Sequence, residues 1–249
     1  MSCHSNSART TEPADAARVS SPPGGWPEPR SAYIHVPFCR RRCPYCNFSV
    51  VARRDDLIQR FLQAVDCELS AWNQPSLNTV YVGGGTPTHL SLDDLERLLV
   101  MIRRHVRLAE NVEWSIEANP EDITPDKLDM IVDHGVNRIS LGVQSFDDQK
   151  LDVLQRGHSG RAAQRILETT AAHMQNVSID MIFGVPGETL STWRHDLETA
   201  LSLPIHHVST YELTIEKGTD FWSRRHRGAL HTLAESLEIE MYQLTRQLT

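Results

Sequence analysis

From residue 32 onward, short β-rich runs alternate with segments of helical pattern, and this alternation limits the possible folds more than any other feature. The predicted strands are Ala32–Val36, Thr79–Gly83, Glu113–Ala118, Arg138–Val143, Val177–Ile182 and His207–Glu212. The predicted helices are Leu57–Trp72, Leu92–Arg103, Pro125–Asp133, Arg161–His173 and Ser191–Leu201. Strand–helix–strand units of this kind are right-handed and build a parallel sheet. Because six strands are too few to close an eight-stranded barrel, we predict an α/β fold with an open, partial (β/α)6 barrel.

Two of the predicted helices carry start signals in the sequence. Ser91 precedes Asp93 and Asp94, a capping hydroxyl followed by acids that the positive end of the helix dipole favours. Thr124 precedes Pro125, the usual order of an N-cap and a proline at the first helical position. These signals place helix starts near residues 92 and 125.

Three cysteines, Cys39, Cys43 and Cys46, stand in one short loop directly after the first predicted strand. A structural zinc site usually closes with four protein ligands, and a disulfide uses two cysteines. A four-iron cluster held by three thiolates leaves one iron open for chemistry. The alternative is a zinc site that adds His35, although no fourth Cys or His follows at a finger-like distance.

The remaining cysteines argue against an exported disulfide protein. The total of five is odd, and the first thirty residues contain no apolar segment that resembles a signal peptide. Cys3 lies in that polar region, and Cys67 lies in a helical pattern, where we expect a buried thiol. Since an iron–sulfur cluster needs a reducing compartment, we expect a cytoplasmic protein.

Charge and hydropathy exclude two further classes of protein. With 25 basic and 32 acidic residues, the net charge is −7, which argues against a nucleic-acid-binding protein. No apolar run approaches the roughly 20 residues of a membrane span. Residues 1–30 are poor in apolar side chains and include Ser21-Pro22-Pro23-Gly24-Gly25, which predicts a disordered tail. A transit peptide is the alternative, and Glu12 and Asp15 disfavour it.

Glycines and polar residues cluster just after the predicted strands, where parallel sheets bind their ligands. Gly83-Gly84-Gly85 removes side chains from one strand end and would let a ligand approach the backbone closely. No Gly-Lys-Ser/Thr follows, so this is not a phosphate-binding Walker loop. Glu117 and Gln144 stand at the ends of two other strands, and the fifth strand carries Asp180 and is followed by Gly184-Val185-Pro186-Gly187. We therefore predict a ligand site at the carboxyl edge of the sheet.

Several separated motifs occur in one order between about Ser31 and the end of the chain. They are Y-I-H-V-P-F-C at 33–39, G-G-G-T-P-T at 83–88, E-A-N-P at 117–120, G-V-Q-S-F at 142–146 and D-M-I-F-G-V-P at 180–186. Together with the C-x3-C-x2-C spacing, they resemble the oxygen-independent coproporphyrinogen III oxidase family of radical S-adenosylmethionine (SAM) enzymes. The resemblance implies a [4Fe-4S] cluster and SAM, whose carbon–sulfur bond the family cleaves with one electron to release a 5′-deoxyadenosyl radical.

The resemblance also implies roles for individual residues. Those matching the cluster ligands are Cys39, Cys43 and Cys46. Those matching contacts to one SAM are Tyr33, Gly84 and Glu117. A further set of residues matches contacts to SAM, and in the oxidase these contacts are made to a second SAM molecule. This set is Tyr45, Gly85, Thr86, Gln144, Arg156 and Asp180. A forked pair of hydrogen bonds from Arg156 to a carboxylate would suit such a contact.

The family contains two functions, and local sequence favours one of them here. The oxidase decarboxylates two propionates of coproporphyrinogen III, and its loop continues with a further cysteine. A second group consists of heme chaperones, which bind heme and pass it to client proteins. Here Asn47-Phe48-Ser49 follows Cys46, which resembles the chaperone group, as does the run at 211–219. The expected partners are heme or a porphyrin, an electron-donor protein and a heme-receiving client. A SAM- and cluster-binding protein without turnover is the remaining alternative.

The final segment departs from the family pattern. Residues 31–230 match the radical SAM core, and residues 231–249 match only the start of a C-terminal region in a family whose members are longer. The H-N-x-x-Y-W motif that the chaperone group links to heme does not occur in the chain. His35 and His207 are weak alternative heme ligands, since a lone histidine is more often a hydrogen-bonded core residue.

Overall fold

A computed structural model describes residues 28–72 and 74–249. Of the predicted tail at 1–30, residues 1–27 therefore lie outside the described residues. The strands of the described part are β1 (Ser31–Val36), β2 (Phe38–Cys39), β3 (Val51–Ala52), β4 (Ser76–Gly84), β5 (Arg107–Ala118), β6 (Arg138–Gln144), β7 (Val177–Phe183) and β8 (His207–Glu212). Six of them form one parallel sheet in the order β1-β4-β5-β6-β7-β8, and β2 pairs with β3 in a separate two-stranded ribbon.

The helices follow the strands in the predicted alternation. They are α1 (Ile58–Ser70), α2 (Leu92–His105), α3 (Pro125–Asp133), α4 (Asp148–Val153), α5 (Gly160–His173), α6 (Leu190–Ser202), α7 (Asp220–His226) and α8 (Glu235–Leu248). The five predicted helices correspond to α1, α2, α3, α5 and α6, and α8 lies within residues 231–249, which the sequence assigned to the start of a C-terminal region. Helices α4 and α7 were not predicted, because six or seven residues carry too little periodicity to reveal a helix.

The sheet ends at β1 on one side and β8 on the other, so the barrel is partial, as predicted. Strands β6 and β7 lie inside the sheet and are buried along almost their whole length. Both strands are therefore covered on both faces, and the polar residues within them, Ser140 in β6 and Ser178 and Asp180 in β7, interrupt otherwise apolar runs. The sequence's six-strand α/β prediction is confirmed.

Two strands begin earlier than predicted. Strand β4 starts at Ser76 and β5 at Arg107, and these residues pair directly with each other. A register shift between Leu77 and Thr79 separates this pairing from the rest of the ladder. In both early stretches exposed polar residues interrupt the apolar ones, so no continuous pattern revealed them.

The predicted helix starts are confirmed by their caps. The Ser91 hydroxyl accepts the backbone N–H of Asp94 at 3.2 Å, and the Thr124 hydroxyl accepts that of Lys127 at 3.3 Å. Each bond satisfies one of the N–H groups that a helix leaves without an intrahelical partner.

The last helix is anchored to the barrel. The Trp193 indole N–H, from α6, reaches the carbonyl of Met241 at 3.1 Å and the hydroxyl of Thr245 at 2.9 Å. Met241 is fully buried, whereas Tyr242 on the opposite side of α8 is exposed. Helix α8 thus packs on α6 with one face. No helix in the described residues is long and apolar enough to cross a membrane.

Candidate functional site

The cavity at the carboxyl ends of the strands receives side chains from the cysteine loop and from four strand ends. Of the predicted site residues, those that line it are Cys39, Cys43, Tyr45, Cys46, Gly84, Gly85, Thr86, Glu117, Gln144, Arg156 and Asp180. These residues are spread over more than 140 positions of the chain. Parallel strands bring them together because all their carboxyl ends meet at one edge of the sheet.

Tyr33 is the predicted residue that does not line this cavity. Its ring is 55% exposed and lies against Tyr81, with 5.9 Å between centroids and 19° between planes. Its hydroxyl donates to Nδ1 of His35 at 3.4 Å. Tyr33 therefore touches residues beneath the strand ends, not the cavity itself. The sequence motif indicated proximity to the site without giving the direction of the ring.

The cysteine loop is held over the end of β1 by backbone pairing and by one histidine. The N–H of Val51 donates to the carbonyl of Pro37 at 2.8 Å, which starts the β2–β3 ribbon. Inside the loop, the N–H of Cys46 donates to the carbonyl of Cys43 at 3.1 Å. The His35 Nε2–H donates to the carbonyl of Ser49 at 2.9 Å. Both loop ends are thus fixed while the cysteines face the cavity.

The three loop thiols are half-buried and form no disulfide. Burial, offset partly by the Thr86 hydroxyl 3.6 Å away, raises the pKa of Cys39 to about 11. Burial also raises the pKa of Cys46. Within residues 28–72 and 74–249, no three Cys, His, Asp or Glu side chains converge on the position of a single metal ion. A four-iron cluster requires no such convergence, because each thiolate ligates a different iron. Three thiols on one cavity wall therefore fit that cluster.

The zinc alternative needed His35 as a fourth ligand, and its ring is already engaged. With Nε2 donating to Ser49 and Nδ1 accepting from Tyr33, both nitrogens have protein partners. A metal ligand needs one nitrogen free to bind the metal. His35 instead serves as a support of the cysteine loop.

Cys67 is exposed on α1, so the prediction of a buried thiol was wrong. The buried residues of this helix include Ile58, Leu62 and Leu69, and the helix turns position 67 away from that face.

The glycine run has a second physical reason besides the predicted one. A side chain on Gly83 would meet the Glu117 carboxylate at 2.7 Å, and one on Gly84 would meet the His35 ring at 2.5 Å. One on Gly85 would meet the backbone of Pro37 at 2.7 Å. Gly84 also has a φ of +117°, which other residues rarely adopt. The glycines are therefore also required because the chain packs on itself here, and Gly84 and Gly85 line the cavity.

Glu117 is fixed by two donors. Its Oε1 accepts the Tyr81 hydroxyl at 2.9 Å, and its Oε2 accepts the N–H of Gly84 at 2.8 Å. Because each oxygen already accepts one hydrogen bond from the protein, the remaining lone pairs of the carboxylate point in fixed directions. It therefore suits an ammonium or a pair of ribose hydroxyls.

Gln144 adopts a left-handed backbone conformation, with φ of +69°. The register between β6 and β7 shifts between Gly142 and Gln144, so the strand bulges where the side chain enters the cavity. A side chain on Gly142 would lie 2.9 Å from Nε2 of Gln144 and 3.1 Å from Oδ1 of Asn119. The glycine thus leaves room for the Gln144 amide.

A buried acid behind the cavity holds the turn that follows Gln144. Asp196 accepts the Ser145 hydroxyl and the Phe146 N–H, each at 2.7 Å. Lys150 Nζ donates to the same carboxylate at 3.0 Å and also to Glu188. Because these three charged groups are almost fully buried and mutually paired, they fix the turn at low dielectric.

Asp180, in the middle of β7, faces the cavity beside Ser140. The Ser140 hydroxyl donates to its carboxylate at 3.2 Å. Burial raises the pKa of Asp180, although hydrogen bonds from Ser209 and Ser140 oppose the shift. Burial likewise raises the pKa of Tyr45, whose ring lies 6.3 Å from that of Phe221.

Arg156 reaches the cavity from the turn after α4. Gln155 before it has a φ of +53°, which turns the chain back toward the strand ends. The Nη2 of Arg156 donates to Oδ1 of Asn119 at 2.5 Å and to the carbonyl of Gly142 at 2.8 Å. Its Nη1 lies 3.4 Å from Sγ of Cys43. Nη2 uses both of its hydrogens on protein oxygens. Nη1 and Nη2 therefore cannot together form the predicted forked pair of hydrogen bonds to a ligand carboxylate.

Glu121 and His158 support this site, and sequence reasoning missed both. His158 faces the Glu121 carboxylate through Nδ1 at 3.1 Å and the carbonyl of Val143 through Nε2 at 3.0 Å. Burial alone would raise the pKa of Glu121, yet the His158 hydrogen bond and the charge of Arg156 lower it to about 2. Because Glu121 and His158 lie 37 residues apart in the chain, no local sequence pattern links them.

This pair predicts a pH effect on stability. Because the folded pKa of Glu121 lies below its usual 4.5, its contribution is complete above pH 4.5 and is lost as the pH falls through 2. Glu121→Gln is expected to lower the free energy of unfolding by about 2 kcal/mol at pH 7 and by less at pH 2. Urea unfolding at a series of pH values measures this. Glu110→Gln, at an exposed position, is the control. If the plot of unfolding free energy against pH for Glu121→Gln runs parallel to that of the wild type, the prediction is contradicted.

Comparison with known proteins supports the resemblance read from the motifs. The model of the radical SAM superfamily matches residues 33–200. The heme chaperone HemW of Bacillus subtilis is 38% identical over 221 residues, covering 86% of this chain and 58% of that protein. The heme chaperone HemW of Mycobacterium tuberculosis is 37% identical over 240 residues, covering 93% of this chain and 61% of that protein. The chain thus spans a little under two thirds of these relatives.

A solved structure shows the same fold. Coproporphyrinogen III oxidase (HemN) from Escherichia coli matches with a TM-score of 0.78 and 24% identity, over 88% of this chain and 51% of that one. At this identity the likeness concerns the fold alone. The family model, which covers most of the barrel, decides the family. The chain belongs to the radical SAM superfamily.

Proposed function

We propose that this chain binds a [4Fe-4S] cluster and SAM and forms the barrel of a heme chaperone that passes heme to client proteins. The observation that carries the proposal is the wall of three half-buried thiols, Cys39, Cys43 and Cys46, facing the strand-end cavity. The relatives named as heme chaperones support the choice of function, with 37–38% identity over most of the chain.

The residues of this chain have distinct tasks in the proposed site. When bound, the cluster and SAM supply one-electron chemistry. The three thiolates would hold the cluster and leave one iron open toward the cavity. The backbone of Gly84 and Gly85, the Glu117 carboxylate and the Gln144 amide would bind SAM and set its orientation. Thr86, Tyr45 and Asp180 complete the wall, and Tyr33 supports it through His35 and Tyr81.

The chaperone assignment rests on the loop after the last cluster cysteine. The oxidase group places its further cysteine two positions after the third cluster cysteine, and here Phe48 occupies that position, preceded by Asn47. Phe48 is 64% exposed at the rim of the cavity, which leaves an apolar group where a flat ligand or a partner protein would approach. We propose heme or a porphyrin as that ligand, an electron-donor protein for the cluster, and a cytoplasmic location.

Neither of the two histidines considered as heme ligands lines the strand-end cavity. His35 supports the cysteine loop, and Nδ1 of His207 lies 2.9 Å from the Ser178 hydroxyl. We therefore propose that a C-terminal region with the H-N-x-x-Y-W motif supplies the heme ligand. In that arrangement, residues 31–230 form the core and residues 231–249 begin the covering region.

Two assays on one reconstituted sample test this function. With cluster, SAM and dithionite present, the chain is expected to form no protoporphyrinogen IX from coproporphyrinogen III, and product formation would contradict the proposal. Heme titration followed by absorbance is expected to show weak binding by the 249 residues and tight binding when a longer C-terminal region is present. Tight stoichiometric binding by the 249 residues alone would contradict the proposed location of the heme ligand.

A further inference from the structure

Arg156 contacts a cluster cysteine as well as the strand ends. Its guanidinium joins Cys43 in the cysteine loop, Asn119 after β5 and Gly142 in β6. The two oxygen contacts fix the plane of the guanidinium, so Nη1 is aimed at the Cys43 sulfur. Its Nε is buried without a hydrogen-bond partner, so the contacts of the two terminal nitrogens hold the group in place.

The positive charge of Arg156 is permanent. Burial acts to lower its pKa, but the neighbouring Tyr45, Cys43 and Glu121 more than offset this, and its pKa is raised. Arg156 therefore stays protonated and positively charged at this site. The charge is also poorly screened, because Arg156 forms part of the cavity wall and its Nε is buried.

We propose that Arg156 is a positioning residue that raises the reduction potential of the cluster by donating an N–H···S hydrogen bond to Cys43. The inference rests on the proposed cluster. One-electron reduction takes a [4Fe-4S] cluster from the 2+ to the 1+ state and adds negative charge to the iron–sulfur–thiolate unit. A nearby cation and a hydrogen bond to a ligand sulfur stabilise the more negative state.

Other arginines near the loop do not have this geometry. Arg40 is paired with the buried Asp122 at 3.0 Å, and its own side chain is 63% exposed. The Arg42 Nε–H donates to the backbone carbonyl of Cys46 at 3.2 Å, not to a sulfur. Arg42 is thus a matched control, since it carries the same charge in the same loop and contacts a different atom type.

The test is a potentiometric titration of the reconstituted protein without SAM, using dithionite as the electron source and EPR of the reduced cluster as the readout. Arg156→Gln is expected to make reduction at least tenfold less favourable, which for one electron is a shift of about 59 mV to more negative potential. Arg42→Gln is expected to shift the equilibrium less than threefold. A wild-type potential in Arg156→Gln, or an equal shift in both variants, would overturn the inference.

Iron content separates this inference from the proposed function. A wild-type protein without iron would contradict the function and this inference together, whereas four irons with an unshifted Arg156→Gln would contradict this inference alone. If Arg156→Gln holds fewer irons than wild type, the reduction potential is measured instead in Arg156→Lys, which keeps the positive charge. A potential below wild type in Arg156→Lys supports the sulfur contact, and a wild-type potential overturns it.

Discussion

Replacing any one of Cys39, Cys43 and Cys46 with Ala is expected to abolish a cluster that otherwise contains about four irons per chain. The three thiols face one cavity from a loop that is fixed at both ends. Each would ligate a separate iron, so no remaining thiolate can replace a missing one. Iron and sulfide determination after anaerobic reconstitution, together with the visible absorbance, measures the effect.

The same experiment has two matched controls. Cys67→Ala removes an exposed thiol on α1 and is expected to leave the iron content unchanged. Cys3→Ala changes a residue outside the described part of the chain and is expected to do the same. A colourless wild-type protein that holds a single zinc ion would refute the cluster, and so would full iron content in Cys43→Ala.

The alternation of strands and helices was predictable because each element carries its own signal. Buried strands such as β7 are rich in β-branched and other apolar residues, and α2 and α3 have capping residues at the predicted positions. The parallel order then follows from the connections, since each helix returns the chain to the same end of the sheet. That order brought the predicted ligand residues to one edge without any local signal linking them.

What the sequence could not supply is the direction of side chains and the contacts between distant segments. The ring of Tyr33 turns toward Tyr81 and away from the cavity, although its motif was recognised. The Glu121–His158 pair and the Asp196 anchor behind Gln144 join segments 37 and about 50 residues apart. Periodicity reports local structure, so these supports appear only when the chain is folded.

The glycine run shows how one pattern can have two physical causes. Three glycines at a strand end predict close approach of a ligand, and here His35, Glu117 and the Pro37 backbone also fill the space that side chains at these positions would need. Gly84→Val would therefore push on His35, which supports the cysteine loop. We expect that variant to lose cluster as well as SAM, so it is a poor probe of SAM binding. A change that keeps the backbone intact is needed.

Glu117→Gln is that change, and it is expected to weaken SAM binding between about tenfold and a hundredfold while the iron content stays at the wild-type value. The amide keeps the size of the side chain and can still accept one of the two bonds from Tyr81 and Gly84. It loses the negative charge, however, and a hydrogen bond to a charged group contributes about 1.5–3 kcal/mol. Calorimetric titration of the reconstituted protein with SAM, and the change that SAM produces in the cluster EPR signal, both measure the loss.

The control for Glu117→Gln lies on the same strand. Glu113→Gln makes the identical chemical change four residues earlier, at an exposed position nearer the amino end of β5, and is expected to leave SAM affinity unchanged. Because parallel strands present their ligand-binding residues at the carboxyl end, only the later of the two acids can contact SAM. Equal SAM affinity in the two variants would mean that the Glu117 carboxylate serves the packing of Tyr81 and Gly84 and not the cofactor.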